Sequence, residues 1–198
     1  MCGIVGLWGS DLALQGTIVS MTETLSRRGP DDSGHWVDSK IGLAMGHRRL
    51  SILDLTSAGS QPMHSFCGRY VLVYNGEIYN HLELRRELDA LKGNLDWRGH
   101  SDTETLLAGL SIWGIEKTLS RINGMFAFAV FDNLKNDLTL ARDRIGEKPL
   151  YYGWSNNVFL FGSELKPFQA CMNFSPDINK NALAAFLRFG YVPTPQSI

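Results

Sequence analysis

Between residues 125 and 164 the chain reads MFAFAVF (125–131), LTLAR (138–142), LYYGW (150–154) and VFLFG (158–162). These short apolar runs are divided by Asn, Asp, Gly and Pro, which predicts an antiparallel meander. Upstream, CGIVGLW (2–8) reads as a buried strand, and 35–37 and 41–47 as short strands. RYVLVYN (69–75) reads as a strand ending in Asn75-Gly76, a hairpin turn signal. Helical patterns lie between the strands. Leu14, Ile18, Met21 and Leu25 form a stripe over 14–26. Asn80-His81-Leu82-Glu83 resembles a capping box ahead of Leu84, Leu88 and Leu91. Ser101-Asp102-Thr103-Glu104 is a stronger box, opening a helix to about Trp113. A helical pattern returns at 179–189, and the turn-rich Tyr191–Ile198 reads as a linker.

Composition narrows the function classes. With 198 residues, 44% hydrophobic and 20% charged, the chain can bury a core and is neither fibrous nor disordered. Nineteen basic against twenty acidic residues give a net charge of -1, which speaks against a nucleic-acid partner. No apolar run approaches the roughly 18 residues of a membrane span. The amino terminus has no basic n-region, so no secretory signal is expected and the expectation is a cytoplasmic protein. Neither G-x-G-x-x-G nor G-x-x-x-x-G-K-[ST] occurs, so this chain alone is not expected to bind nucleotide.

The cysteines are Cys2, Cys67 and Cys171, an odd and sparse set that does not make a disulfide framework. His64 and Cys67 give half of a zinc spacing with no second half, so no metal site is expected. Cys2 is the unusual one. The side chain after the initiator methionine is small enough for Met1 to be removed, which would place a thiol and a free α-amine on one residue. An α-amine titrates near 7.7–8.0, so it can act as a base for its own thiol. From position alone, a small core cysteine remains the commoner outcome.

Several motifs then occur in order: Met1-Cys2-Gly3-Ile4, Arg28-Gly29-Pro30-Asp31, His47-Arg48-Arg49-Leu50-Ser51-Ile52, Asn75-Gly76-Glu77-Ile78-Tyr79-Asn80, Ser101-Asp102-Thr103-Glu104, Gly124-Met125-Phe126-Ala127-Phe128, and Arg142 through Tyr152 (RDRIGEKPLYY). Together they resemble the glutaminase domain of the class II glutamine amidotransferases, in the branch of the glutamine-dependent asparagine synthetases. The resemblance runs from residue 2 to about 190. It implies an α+β fold, a four-layer αββα sandwich of two antiparallel sheets of the N-terminal nucleophile hydrolase type. It also implies a glutaminase domain over 1–175, with 176–198 as linker and start of a truncated synthetase domain.

The resemblance assigns roles. Cys2 would attack the side-chain carbonyl of L-glutamine and form a glutamyl thioester, its α-amine moving the protons. Asn75 and Gly76 would supply oxyanion donors, although Asn-Gly also fits a plain hairpin turn. Arg49 would hold the substrate α-carboxylate, with Arg48 its local competitor. Asp102 would pair with the α-ammonium, while also suiting the first turn of a helix. Glu77 is a second candidate for the ammonium. The Arg27–Gly34 loop would be a lid or a rigid turn. Arg142, Asp143, Arg144 and Glu147 read as a structural ion network, and Cys67 and Cys171 as inert. No cofactor is expected in this chain; ATP and Mg are expected for the synthetase domain, with aspartate the leading acceptor over sugars, antibiotic precursors or peptides. That synthetase domain is the expected partner, and a homodimer is an open option. Two other readings stand beside this one: a hydrolase of the same type acting on another amide, and a non-catalytic module. Arg49 and Asp102 suit an amino-acid head group and argue against the first. The presence of all of Cys2, Arg49, Asn75, Gly76 and Asp102 argues against the second.

Overall fold

Alternate residues of a single strand feed different cores in this protein. In the computed structural model, which describes residues 1–10, 13–52 and 54–193, strand β1 (Gly3–Trp8) turns Val5 and Leu7 toward helix α1 (Leu14–Glu23) and Ile4 to the opposite face. Strand β3 (Leu43–Arg49) does the same, with Ala44 toward α1 and Leu43 and Met45 opposite. A strand buried on both faces needs apolar residues at successive positions, which is why these segments read as unbroken runs.

Two antiparallel sheets result. The first has the order β2-β3-β1-β9-β8, with β2 at Asp32–Asp38, β8 at Tyr151–Ser155 and β9 at Val158–Gly162. The second has the order β4-β5-β6-β7, with β4 at Met63–His64, β5 at Tyr70–Ile78, β6 at Gly124–Asp132 and β7 at Asp137–Arg142. Ile4, Met45 and Phe161 of the first sheet meet Val71, Val73, Ala129 and Phe131 of the second in a shared inner core. On the outer face of the second sheet, Leu72, Tyr74, Phe126 and Phe128 pack against helices α2 (His81–Lys92) and α3 (Asp102–Trp113). The expected four-layer αββα sandwich is the observed architecture.

Four local expectations are corrected. The 125–164 region is not one meander. It is two hairpins, β6–β7 in the second sheet and β8–β9 in the first, and residues 143–150 cross between sheets. Asn75-Gly76 is not a turn, because β5 runs straight through it with Asn75 opposite Ala127 and Gly76 opposite Phe126. Glycine is required there by close approach: a Cβ on residue 76 would lie 2.8 Å from Phe126 Cα. Asn80 does not cap α2; its side chain bonds the Arg121 carbonyl and the Asn123 N–H instead. Ser101 does cap α3, accepting from Glu104 N at 3.3 Å, but the Glu104 carboxylate turns to the N–H groups of Arg98 and Gly99. A further helix, α4 (Ile115–Arg121), follows Gly114, whose positive φ of 83° breaks the chain away from α3. Helix α5 (Lys180–Phe189) occupies the expected place; residues 194–198 of the expected linker lie outside the described residues.

Candidate active site

Register explains how the amino terminus reaches the interior. Gly3 pairs with Arg48, so one residue further out Cys2 lies beside Arg49 and Leu50. The Cys2 thiol sits against the Leu50 peptide, its Sγ 3.4 Å from Leu50 N and 3.6 Å from Leu50 O. Behind it, Arg28 donates from Nε to the Cys2 carbonyl at 2.9 Å and from Nη1 to Glu164 at 3.0 Å. This fixes the backbone of a residue that precedes the first strand.

Cys2 opens onto a cleft of about 170 Å³ at the ends of both sheets and the start of α3. Arg49, Asn75, Gly76, Glu77 and Asp102 line it with Cys2, so all six candidate residues of the sequence meet in one place. Strand alternation separates the two arginines. Arg48 turns toward α1, bonding the Gly29 carbonyl at 2.8 Å and lying 3.9 Å from Glu23, whereas Arg49 turns into the cleft. Arg49 is buried and grips two backbone carbonyls of the following loop, Thr56 at 2.8 Å and Asp54. A guanidinium carries five N–H donors, so two such bonds leave donors for a ligand.

Asp102 is buried at the amino end of α3. One carboxylate oxygen accepts from the Tyr74 hydroxyl at 2.7 Å and from Ile78 N at 2.8 Å. Burial, reinforced by the Asp102 charge, pushes the Tyr74 phenol well above its ordinary pKa, so it stays a donor. Asp102 thus begins a helix and also lines the cleft.

Strand β5 brings further hydrogen-bond donors to the cleft. Asn75 is 2% exposed, and its Nδ2 is buried with no hydrogen-bond partner among the described residues. A stranded buried amide donor costs about 1–3 kcal/mol, so it points to a ligand. The neighbouring N–H of Gly76 follows from strand geometry. The N–H of Tyr74 bonds Gln61 Oε1 at 2.6 Å and that of Ile78 bonds Asp102, so this edge of β5 faces side chains rather than β6. Residue 76 lies between them on the same edge. Phe126, its partner across the ladder, spends its own N–H and carbonyl on Asp143.

Sequence reading missed several cleft residues. Tyr74, Gln61, Asp54 and Lys148 line it without having been singled out. Lys148 and Arg28 stood inside quoted motifs, the only signal available; Gln61 stood in none. The Asp54 carboxyl is held down at about 2, first by the Thr56 hydroxyl and the His100 N–H, against the effect of burial. His47 is fully buried between the sheets, its Nε2 3.1 Å from the Tyr74 carbonyl. Burial, with Arg49 adding to it, pulls its pKa to about 4, so it is neutral at pH 7.

The Arg27–Gly34 segment is a turn that runs into β2. Asp31 N bonds the Arg49 carbonyl at 3.0 Å, and its carboxylate accepts from Ser51 N at 2.8 Å. Arg142–Glu147 is not an ion network. Asp143 accepts four backbone N–H groups, and Arg142 and Arg144 donate to backbone carbonyls, because the loop must satisfy its own peptides as it crosses between sheets. Among the described residues no group of three His, Cys, Asp or Glu side chains is placed to hold a metal ion.

The glutamine amidotransferase domain family matches residues 1–198. Asparagine synthetase [glutamine-hydrolyzing] 3 of Bacillus subtilis is 40% identical over 98% of this chain and 32% of its own length. Asparagine synthetase [glutamine-hydrolyzing] 1 of the same organism is 40% identical over 100% of this chain and 31% of its own length. The chain thus spans about a third of these relatives. Among solved structures, the glutamine phosphoribosylpyrophosphate amidotransferase of B. subtilis superposes with a TM-score of 0.72 over 85% of this chain and 43% of that one, at 22% identity. The chain belongs to the glutamine amidotransferase domain family.

Proposed function

We propose that this glutamine amidotransferase domain hydrolyses L-glutamine to glutamate and ammonia at the Cys2 cleft. The observation that carries the reading is the meeting of the Cys2 thiol with the buried, unpartnered Asn75 amide in one cleft. The cleft is also a zwitterion's counterpart. Arg49 offers donors to an α-carboxylate, and Asp102 and Glu77 offer acceptors to an α-ammonium.

With Met1 removed, the α-amine of Cys2 takes the thiol proton and the sulfur attacks the amide carbon of glutamine. The oxygen of the tetrahedral intermediate receives hydrogen bonds from Asn75 Nδ2 and Gly76 N. The α-ammonium then returns the proton to the leaving nitrogen, and ammonia departs, leaving a γ-glutamyl thioester. Water, deprotonated by the same amine, cleaves the thioester to glutamate and restores the thiol. Residues 1–175 form the glutaminase unit in this reading, and 176–198 lead toward a further segment. That segment would join the ammonia to an ATP-activated aspartate, as the names of the relatives suggest, with ATP and magnesium bound there.

Intact mass before and after treatment with 6-diazo-5-oxo-L-norleucine tests this. The expected result is a chain lacking one methionine that gains one adduct, blocked by glutamine and absent in Cys2→Ala. An adduct at Cys67 or Cys171 would overturn the assignment.

A further inference from the structure

The amide, carbonyl and side chain of Tyr74 each meet a different side chain around the cleft. Its N–H bonds Gln61 Oε1 at 2.6 Å, its carbonyl lies 3.1 Å from His47 Nε2, and its hydroxyl donates to Asp102 at 2.7 Å. It is 2% exposed, with its ring in the core beneath α2 and α3. A buried tyrosine places its hydroxyl on a partner, and here the partner is the carboxylate facing the substrate head group. Asp102 has two side-chain oxygens. Tyr74 and Ile78 both bind the same one, and the other takes no bond from any described residue. Two donors on one oxygen fix the rotation of the carboxylate and so the direction of its remaining oxygen.

We propose that Tyr74 is a positioning residue for substrate selection: its hydroxyl aims the free oxygen of Asp102 at the α-ammonium of the bound amino acid. This rests on the reading of Asp102 given above. The discrimination concerns the head group and not the amide that reacts. Tyr74 therefore contributes to holding L-amino-acid substrates and not to the bond-breaking steps at Cys2.

Steady-state glutaminase kinetics of Tyr74→Phe test this, with glutaramate, the same monoamide without the α-ammonium, as second ligand. Loss of one hydrogen bond to a charged group predicts a glutamine KM about tenfold higher with kcat within about twofold of the parent. Inhibition by glutaramate should be unchanged, and so should the melting temperature to within a few degrees. Tyr74→Leu repeats the test in a different packing. In the double variant Tyr74→Phe/Asp102→Asn the loss should not exceed that of Asp102→Asn alone, since the hydroxyl acts only through the carboxylate. Equal weakening of glutamine and glutaramate would make Tyr74 merely structural and overturn the proposal, as would an unchanged KM. If Asp102→Asn itself leaves the glutamine KM unaltered, the head-group reading of Asp102 fails and takes this one with it. If it raises KM while Tyr74→Phe does not, only the positioning role falls.

Discussion

Two buried aspartates divide this molecule into a part that is finished and a part that is waiting. Asp143 lies in the loop that crosses between the sheets, and four backbone N–H groups converge on it: Gly146 and Glu147 on one oxygen, Phe126 and Lys148 on the other. Asp102 lies at the start of α3, and two donors converge on one oxygen only. Both are buried to a similar degree. A carboxylate with both oxygens engaged builds structure, and one with an oxygen to spare has capacity for a ligand. Asn75 repeats the lesson from the donor side, with an amide nitrogen that none of the described residues satisfies.

The strongest way to break the comparison is Asp102→Asn. The amide oxygen can still accept from Tyr74 and Ile78, so the fold should hold while the charge is lost. Removing one partner of a buried charge pair costs about 2–5 kcal/mol of binding, which predicts a collapse of kcat/KM for glutamine with little change in unfolding free energy. A large loss of stability instead would put Asp102 in the same class as Asp143. The converse is Asp143→Asn. One oxygen becomes an NH₂ that faces two N–H donors, so stability should fall by about 2–4 kcal/mol in denaturant unfolding. Any loss of glutaminase activity should then track the unfolded fraction.

Acid should separate the two regions by pH. His47, which supports the Tyr74 carbonyl behind Asp102, has a folded pKa of about 4 against an ordinary value of 6.5. As pH falls the unfolded chain binds this proton first. The contribution is therefore whole above about 6.5 and lost as pH falls toward 4, amounting to about 3 kcal/mol. For Asp143, burial pushes the carboxyl pKa up, but the four N–H groups outweigh it and the net shift is downward. Its contribution is present above the ordinary carboxylate value of 3.8 and is lost only as pH falls further. Urea unfolding at pH 7, 5.5 and 4.5 should show the first loss, and His47→Asn should flatten it. A stability flat down to pH 4 in the parent would show that His47 is not held neutral.

Much of the site was legible in the sequence because its residues sit in short, ordered motifs. Cys2, Arg49, Asn75, Gly76, Glu77 and Asp102 line one cleft, as the motif order implied. The motif pointed to Arg49 rather than Arg48, and strand alternation is what turns Arg49 and not Arg48 into the cleft. Tyr74 and Gln61 were not legible. Their value lies in a hydroxyl and a carbonyl pointing at partners 28 and 13 residues away, and no local pattern records that. Asn75-Gly76 misled for the opposite reason: the dipeptide has the composition of a turn, but Ala127 and Phe126 across the ladder hold it extended.

The sequence by itself determined the local elements. Unbroken apolar runs made strands with two buried faces, the Leu14–Leu25 stripe made a helix, and Ser101 started another. Only the tertiary structure decided which strands share a sheet. The two hairpins between 124 and 162 have the same local chemistry, yet β6 pairs with β5 and β9 pairs with β1. Hydrogen-bonding edges of strands are alike, so the choice rests on which faces bury the most apolar surface once the sheets stack. That stacking brings the amino terminus, β5 and the start of α3 to one end, where Cys2 meets Asn75 and Asp102.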